Sequence, residues 1–191
     1  MNYPDIALAS ASPRRRELLT QLAVPFELVT ADIDETALPQ EAPASYVQRL
    51  AQQKARAGLA RLIAAKPVLG ADTIVVCDGD ILGKPADFRE FADNMQRLSG
   101  RCHQVMTAIA LVSANRCLTS LVCTEVCFRP LSAEDIRWYW QSGEPQDKAG
   151  GYGIQGLGGK FVQRINGSYS AVVGLPLCET EQLLLQWQEM R

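Results

Sequence analysis

Between Pro67 and Cys77 the chain reads Pro-Val-Leu-Gly-Ala-Asp-Thr-Ile-Val-Val-Cys, a nearly continuous apolar run with one carboxylate, Asp72, set into it. A strand of this composition has no polar face to turn to water, so it belongs inside a sheet covered on both sides. The rest of the chain supplies both partners and cover. Strand-like runs occur at Ile6 to Ala9, Phe26 to Val29, His103 to Val112, Cys117 to Phe128 and Phe161 to Ile165. Helical patterns run from Pro13 to about Leu22, Ala44 to Ile63, Asp87 to about Leu98, Ser132 to Gly143 and onward from about Thr180. The class is α/β, a mixed twisted sheet flanked by helices. With 191 residues the expectation is a single domain, 1–191, with room for two lobes around a central cleft.

Several local signals place the turns. Asp78-Gly79 is a hairpin dipeptide that returns the chain through Gly83-Lys84-Pro85 toward the strand carrying Asp72. The two long apolar runs on either side of Ser113-Ala114-Asn115-Arg116 read as an antiparallel hairpin. Phe88, Phe91, Ala92 and Met95 share one helix face and are assigned to the core. Trp138, Tyr139 and Trp140 suit either core or a subunit interface. Residues 144–160 are rich in glycine and read as loop.

Burying an unpaired carboxylate is costly, so Asp72 is expected at a strand end or facing a cation, a metal or a set of donors. That makes it the strongest catalytic candidate of the chain. Lys54 falls near the apolar face of the second helix, which is marked by Val47, Leu50, Ala51, Leu59 and Leu62. It either meets an anion at the edge of the core or passes its stem outward to water, the commoner fate of such a lysine.

A second candidate feature lies at Ser10-Ala11-Ser12-Pro13-Arg14-Arg15, where the first strand meets the first helix. Ser12 suits the N-cap, and Pro13 suits the first helical position because its missing donor is not needed there. Arg14, Arg15 and Arg16 then stand beside free backbone N–H groups. Cations at a helix N-terminus oppose its dipole, so their placement points to an anion, and guanidinium forks match phosphate in shape and charge. The plainer alternative is a capped helix with a solvated basic first turn.

Composition removes other classes. A net charge of −2 argues against a nucleic-acid polymer as partner, and no apolar run is long enough to span a bilayer. No secretory signal is visible at the N-terminus, so a cytoplasmic location is expected. The six cysteines show no C-x-x-C spacing and are read as free thiols. His103 is the sole histidine, which leaves no multi-histidine metal site and little room for Ser-His-Asp chemistry. Gly151-Tyr152-Gly153-Ile154-Gln155-Gly156 satisfies G-x-G-x-x-G, but further glycines follow where a helix should receive pyrophosphate, so a dinucleotide fold is rejected. Gly158-Gly159-Lys160 fails as a P-loop because Phe161 stands where a hydroxyl should bind magnesium. The glycines remain suited to close approach to a ligand, with Asp147, Lys148 and Gln155 as polar contacts. The amide of Gln155 suits the imide edge of a pyrimidine.

Taken in order, Ser10-Ala11-Ser12-Pro13-Arg14-Arg15, Asp34-Glu35, Lys54-Ala55, Gly70-Ala71-Asp72-Thr73, Gly83-Lys84-Pro85, Leu98-Ser99-Gly100, Asp147-Lys148-Ala149-Gly150, Tyr152 to Gly156 and Gly167-Ser168-Tyr169 resemble the Maf family of nucleoside triphosphate pyrophosphatases over nearly the whole length. The resemblance implies a Maf/inosine triphosphate pyrophosphatase-like fold, hydrolysis between the α and β phosphates, a divalent metal (Mg2+ or Mn2+) and a homodimer. Arg14, Thr73 and Gln155 match positions tied to substrate choice in the dTTP/UTP branch, whereas the 7-methyl-GTP branch tends to carry an aromatic residue in place of Arg14 and Gln in place of Thr73. The chain departs from the family pattern at Gly151, where Ala is common, and at Ala171, where Asn is frequent.

A triphosphate carries about four negative charges, so its site needs cations to hold it and a metal to draw charge from the scissile bond. Arg14, Arg15, Lys54 and Lys84 are assigned the first task, and Glu35 and Asp72 the second, as hard oxygen ligands. Asp72, by resemblance the family's proton acceptor, is expected to activate water, with Glu35, Lys54 and Lys84 beside it. Ser10, Arg14, Arg15, Thr73 and Gln155 are expected to bind substrate. The alternatives are a 7-methyl-GTP or purine-directed pyrophosphatase, and a non-catalytic nucleotide-binding regulator of cell division.

Overall fold

Four buried apolar residues, Ile6–Ala9, form β1, the first strand along the chain, in this computed structural model, which describes residues 3–63 and 65–189. Helix α1 (Pro13–Gln21) follows with Pro13 in its first turn and Ser12 as N-cap, its hydroxyl accepting from Arg15 N–H at 3.4 Å. Then come β2 (Phe26–Val29), α2 (Pro43–Leu59), β3 (Val68–Cys77) and β4 (Asp80–Leu82). The turn between the last two uses Asp78 and Gly79 at φ 55° and 88°, the left-handed pair that a tight hairpin requires. After α3 (Phe88–Leu98) the chain builds β5 (Cys102–Val112) and β6 (Cys117–Phe128), joined by a turn closed from Ser113 N–H to Arg116 O at 2.8 Å. Helix α4 (Ala133–Gln141), β7 (Val162–Asn166), α5 (Tyr169–Val173) and α6 (Leu177–Glu189) complete the order.

The seven strands form one mixed sheet in the order β2-β1-β3-β5-β6-β7, with β4 paired to β3. β1 pairs parallel with β2 and β3, whereas β4 and β7 pair antiparallel with β3 and β6. β3 is the covered strand its composition requires: nine of its ten residues are buried. No helix among the described residues is long and apolar enough to cross a membrane.

The chain divides into two compact units. The first comprises Met1–Asp72, Thr107–Val122 and Gly174–Arg191, with β1 packed under α2 and a core that includes Leu8, Leu19, Leu50, Leu69 and Ile109. In it, a Cβ on Gly70 would lie 2.3 Å from Ala51 O and 2.6 Å from Ala55 N, so only glycine lets α2 approach the strand this closely. The second comprises Thr73–Met106 and Cys123–Val173, and its core centres on Phe91, Phe128, Tyr139 and Phe161.

The structure corrects several expectations. Helix α2 stops at Leu59, not Ile63, in tightened turns from Arg61 N–H to Gly58 O and Leu62 N–H to Leu59 O. Ala55 and Gly58 therefore take the inward places expected of Leu59 and Leu62, because small residues permit close packing on the sheet. Phe88 is 40% exposed and rests on Trp140 rather than inside the core. Of the α4 aromatics, Tyr139 is fully buried, while Trp138 lies beneath the Lys160 ammonium at 3.3 Å. The glycine-rich stretch is not plain loop: it forms three short 3-10 turns at Glu144–Asp147, Ala149–Gly151 and Leu157–Phe161. Helix α6 begins at Leu177 rather than Thr180. Finally, Cys102 and Cys127 are joined as a disulfide, so four of the six cysteines, not all of them, are free thiols. Their separation of 25 residues is invisible to a search for local spacing, but the neighbouring strands β5 and β6 bring them together.

Candidate active site

Asp72 lies inside β3, two residues after Gly70 and therefore on the same face of the strand, the face that α2 covers. Lys54, one residue before the Ala55 that touches Gly70, reaches along this contact and places Nζ 2.6 Å from Asp72 Oδ1. The same ammonium lies 2.7 Å from Glu35 Oε1. The side chains of Lys54 and Asp72 are 12% and 9% exposed, against 46% for Glu35. Two carboxylates thus meet on one cation, with a buried arm and a solvated one.

The loop carrying Glu35 is tied down by α2. Tyr46 donates its hydroxyl to Glu35 O at 2.8 Å, and Arg49 donates to Thr36 O at 3.1 Å while clamping both oxygens of Glu41 at 2.6 Å. The guanidinium beside Glu41 lowers its carboxyl to about 2, and hydrogen bonds from Thr36 hold Asp34 below its ordinary value. Burial, with Asp72 and Glu35 nearby, raises the Tyr46 phenol. Sequence reasoning missed Tyr46 and Arg49 in these roles. The signal was available for the first, since Tyr46, Leu50 and Lys54 recur every four residues and share a helix face.

At the β1–α1 junction Ser10 Oγ accepts from Ser12 N–H at 3.2 Å, and Arg15 Nε donates to Gly174 O at 2.9 Å. Burial lowers the Arg15 guanidinium from its ordinary value; the charges of Asp72 and Glu35 counter this and that of Arg14 adds to it. Arg14 and Arg15 therefore share an electrostatic neighbourhood with both acids. Ser10, Arg14, Arg15, Glu35, Lys54 and Asp72 all belong to the first unit, while Thr73, Lys84 and Gln155 belong to the second.

In that second unit Thr73 is half-buried on β3, and Lys84 and Gln155 are exposed. Asp147 and Lys148 pair with each other at 2.7 Å. The segment around Gln155 is organised by Glu144, which sequence reasoning also missed. Its carboxylate accepts from Tyr139 OH at 2.7 Å, Leu157 N–H at 2.8 Å and Gly158 N–H at 3.2 Å. Burial raises the Glu144 carboxyl, but these donors and Lys148 outweigh it and leave the group below its ordinary value. The G-x-G-x-x-G match is followed by a 3-10 turn rather than an α-helix, in keeping with its rejection.

Compared with known proteins, residues 5–187 match the family model described as Maf-like protein. The chain belongs to this Maf-like family. Among its Maf-like relatives, the dTTP/UTP pyrophosphatase of Pseudoalteromonas translucida is 58% identical over 94% of this chain and 95% of its own. The dTTP/UTP pyrophosphatase of Escherichia coli K12 is 56% identical over 98% of this chain and 95% of its own. A solved dITP/XTP pyrophosphatase from Mycobacterium abscessus is 18% identical, with a TM-score of 0.44 over 68% of this chain and 75% of that one.

The divalent metal that the Maf resemblance implies can be tested against the donor set. Magnesium and manganese take hard oxygen ligands, commonly one or two carboxylates completed by phosphates and water. Glu35 and Asp72 meet that need, one solvated and one buried, both within reach of a single Lys54 ammonium. The Maf-like chain thus fits such an ion at these residues.

Proposed function

We propose that the protein hydrolyses dTTP and UTP to the monophosphate and pyrophosphate, with the first-unit cluster performing the chemistry. The observation that carries this reading is Lys54 bridging Asp72 and Glu35 at 2.6 and 2.7 Å. The names of relatives 55–58% identical over nearly the whole chain support the substrate and reaction. Lys54 engages Oδ1 of Asp72, which fixes the carboxylate plane and leaves Oδ2 to take a proton from the attacking water. Arg14, Arg15 and the amides opening α1 hold phosphate oxygens, with Ser10 shaping the turn. Glu35 and Asp72 would hold a divalent metal, which when bound would neutralise charge on the phosphates. The active protein is a cytoplasmic homodimer in this reading, for which sedimentation velocity is the check on assembly.

The test is pyrophosphate release with dTTP, UTP, 7-methyl-GTP and ITP on the wild type and Asp72→Asn. The expected result is preference for the two pyrimidine nucleotides and loss of turnover in a folded Asp72→Asn protein. Near-normal turnover by that variant removes Asp72 from the chemistry. A preference for 7-methyl-GTP or ITP refutes the substrate, and tight nucleotide binding without pyrophosphate release refutes the enzyme.

A further inference from the structure

The second unit holds a cluster of reactive groups that the phosphate chemistry does not use. Cys102 opens β5 and is exposed, whereas its disulfide partner Cys127, near the end of β6, is 7% exposed. Arg164, paired opposite Cys127 on β7, places Nη2 3.4 Å from the Cys127 sulfur, 4.0 Å from that of Cys102 and 3.0 Å from Glu125 Oε1. The Cys102 side opens into a surface pocket shared with Asp78, Gly79, Gln104 and Glu125. One sulfur is thus open to approach, and the other sits beside a fixed positive charge.

We propose that Cys102–Cys127 is a reversible thiol-modification site, opened by a low-molecular-weight thiol of the glutathione class that attacks Cys102. The incoming thiolate forms a new S–S bond to Cys102 Sγ. The Cys102–Cys127 bond breaks, and its electron pair leaves on Cys127 as a thiolate next to Arg164. A nearby guanidinium stabilises a thiolate, and a better-stabilised leaving thiolate departs faster. The mixed disulfide then has two exits. Cys127 attacks Cys102 and expels the small thiol, restoring the internal disulfide, or a second small thiol attacks the adduct, leaving two protein thiols and one small-molecule disulfide. The polarity of attack follows from exposure: the open sulfur is the target and the covered one is the leaving group.

The strands do not depend on this bond for their pairing at this end. Phe128 N–H donates to Arg101 O at 3.0 Å, and Gly100 N–H to Arg129 O at 3.1 Å, immediately beyond the two cysteines. Opening the disulfide is therefore compatible with a folded protein. The ligand atoms of Cys102, Glu125 and Cys127 also lie within 4.8 Å of one another, the one such grouping found among the described residues. The two sulfurs of that grouping are bonded to each other, which leaves no thiolate to ligate a metal while the disulfide is closed. The remaining cysteines supply internal controls: Cys77 is buried, which raises its thiol, and Cys117, Cys123 and Cys178 are exposed without a disulfide partner.

The experiment exposes the purified full-length protein to graded ratios of reduced and oxidised glutathione, with adducts located by peptide mass spectrometry and folding followed by circular dichroism. In the wild type, the internal disulfide is expected to open reversibly without loss of ellipticity. In Cys127→Ser the adduct accumulates on Cys102, whereas in Cys102→Ser it does not form on Cys127. Arg164→Gln slows opening by about threefold or more, following the dependence of exchange on the leaving thiol. Opening only on denaturation, attack on Cys127 ahead of Cys102, or an unchanged rate in Arg164→Gln overturns the proposal. So does stoichiometric zinc uptake by the reduced wild type that Glu125→Gln abolishes.

Discussion

Removing the cation from the acid pair gives an energetic signature that can be worked out from exposure. In Lys54→Met the stem remains but Asp72, 9% exposed, loses its ammonium, while Glu35, 46% exposed, keeps most of its water. A buried charge stripped of its partner costs about 3 kcal/mol or more, whereas a solvated one loses about 1 kcal/mol at most. The destabilisation should therefore come almost wholly through Asp72. In the double variant Lys54→Met/Asp72→Asn much of it returns, because position 72 no longer carries a buried charge stripped of its lysine, and the coupling energy between the two positions is about 2 kcal/mol. Replacing Glu35 by Gln changes stability by less than about 1 kcal/mol. Urea denaturation of the four variants and the wild type at neutral pH measures each value. Additivity of Lys54→Met and Asp72→Asn to within about 0.5 kcal/mol refutes the claim that one buried contact joins them.

Three further outcomes follow from other parts of the molecule. His103 is buried against Tyr152 and desolvation lowers it to about 4, so the unfolded chain binds a proton that the folded one refuses as pH falls from about 6.5. Stability fully present above the ordinary value is lost down to the folded one, about 3 kcal/mol in all, and the loss should be missing from His103→Phe; parallel pH curves for the two proteins contradict this. Gly70→Ala forces α2 away from β3 and should cost about 1–3 kcal/mol and lower pyrophosphate release together, as read by denaturation and turnover. Glu144→Ala leaves Tyr139 OH and two backbone amides without their acceptor, costing about 1–3 kcal/mol, with faster amide exchange at Leu157 and Gly158 as the specific readout.

Strand positions and the N-cap at Ser12 were legible because they depend on neighbours along the chain. An apolar run, a proline after a serine and an Asp-Gly turn each carry their own local physics. Asp72 was legible as a problem, a charge where none should be, but its solution required Lys54, whose inward turn cannot be told from snorkelling by spacing alone. The end of α2 was misplaced because apolar periodicity continues past Gly58, whereas the helix stops where close packing on the sheet ends. Glu144 escaped notice because its partners are backbone amides of a glycine-rich segment, which leave no trace in side-chain pattern. The Cys102–Cys127 pair depends on strand adjacency, which no spacing rule encodes.

The close fit of Gly70 against Ala51 and Ala55 has a consequence for how the acid and the lysine stay in register. Because main chain rests on main chain there, the gap between α2 and β3 does not scale with the volume of any side chain. Core residues elsewhere can be exchanged for larger or smaller ones, and the span that Lys54 must bridge is unaltered. The seam works as a mechanical stop, which makes the geometry of the charged pair indifferent to drift in the hydrophobic residues around it.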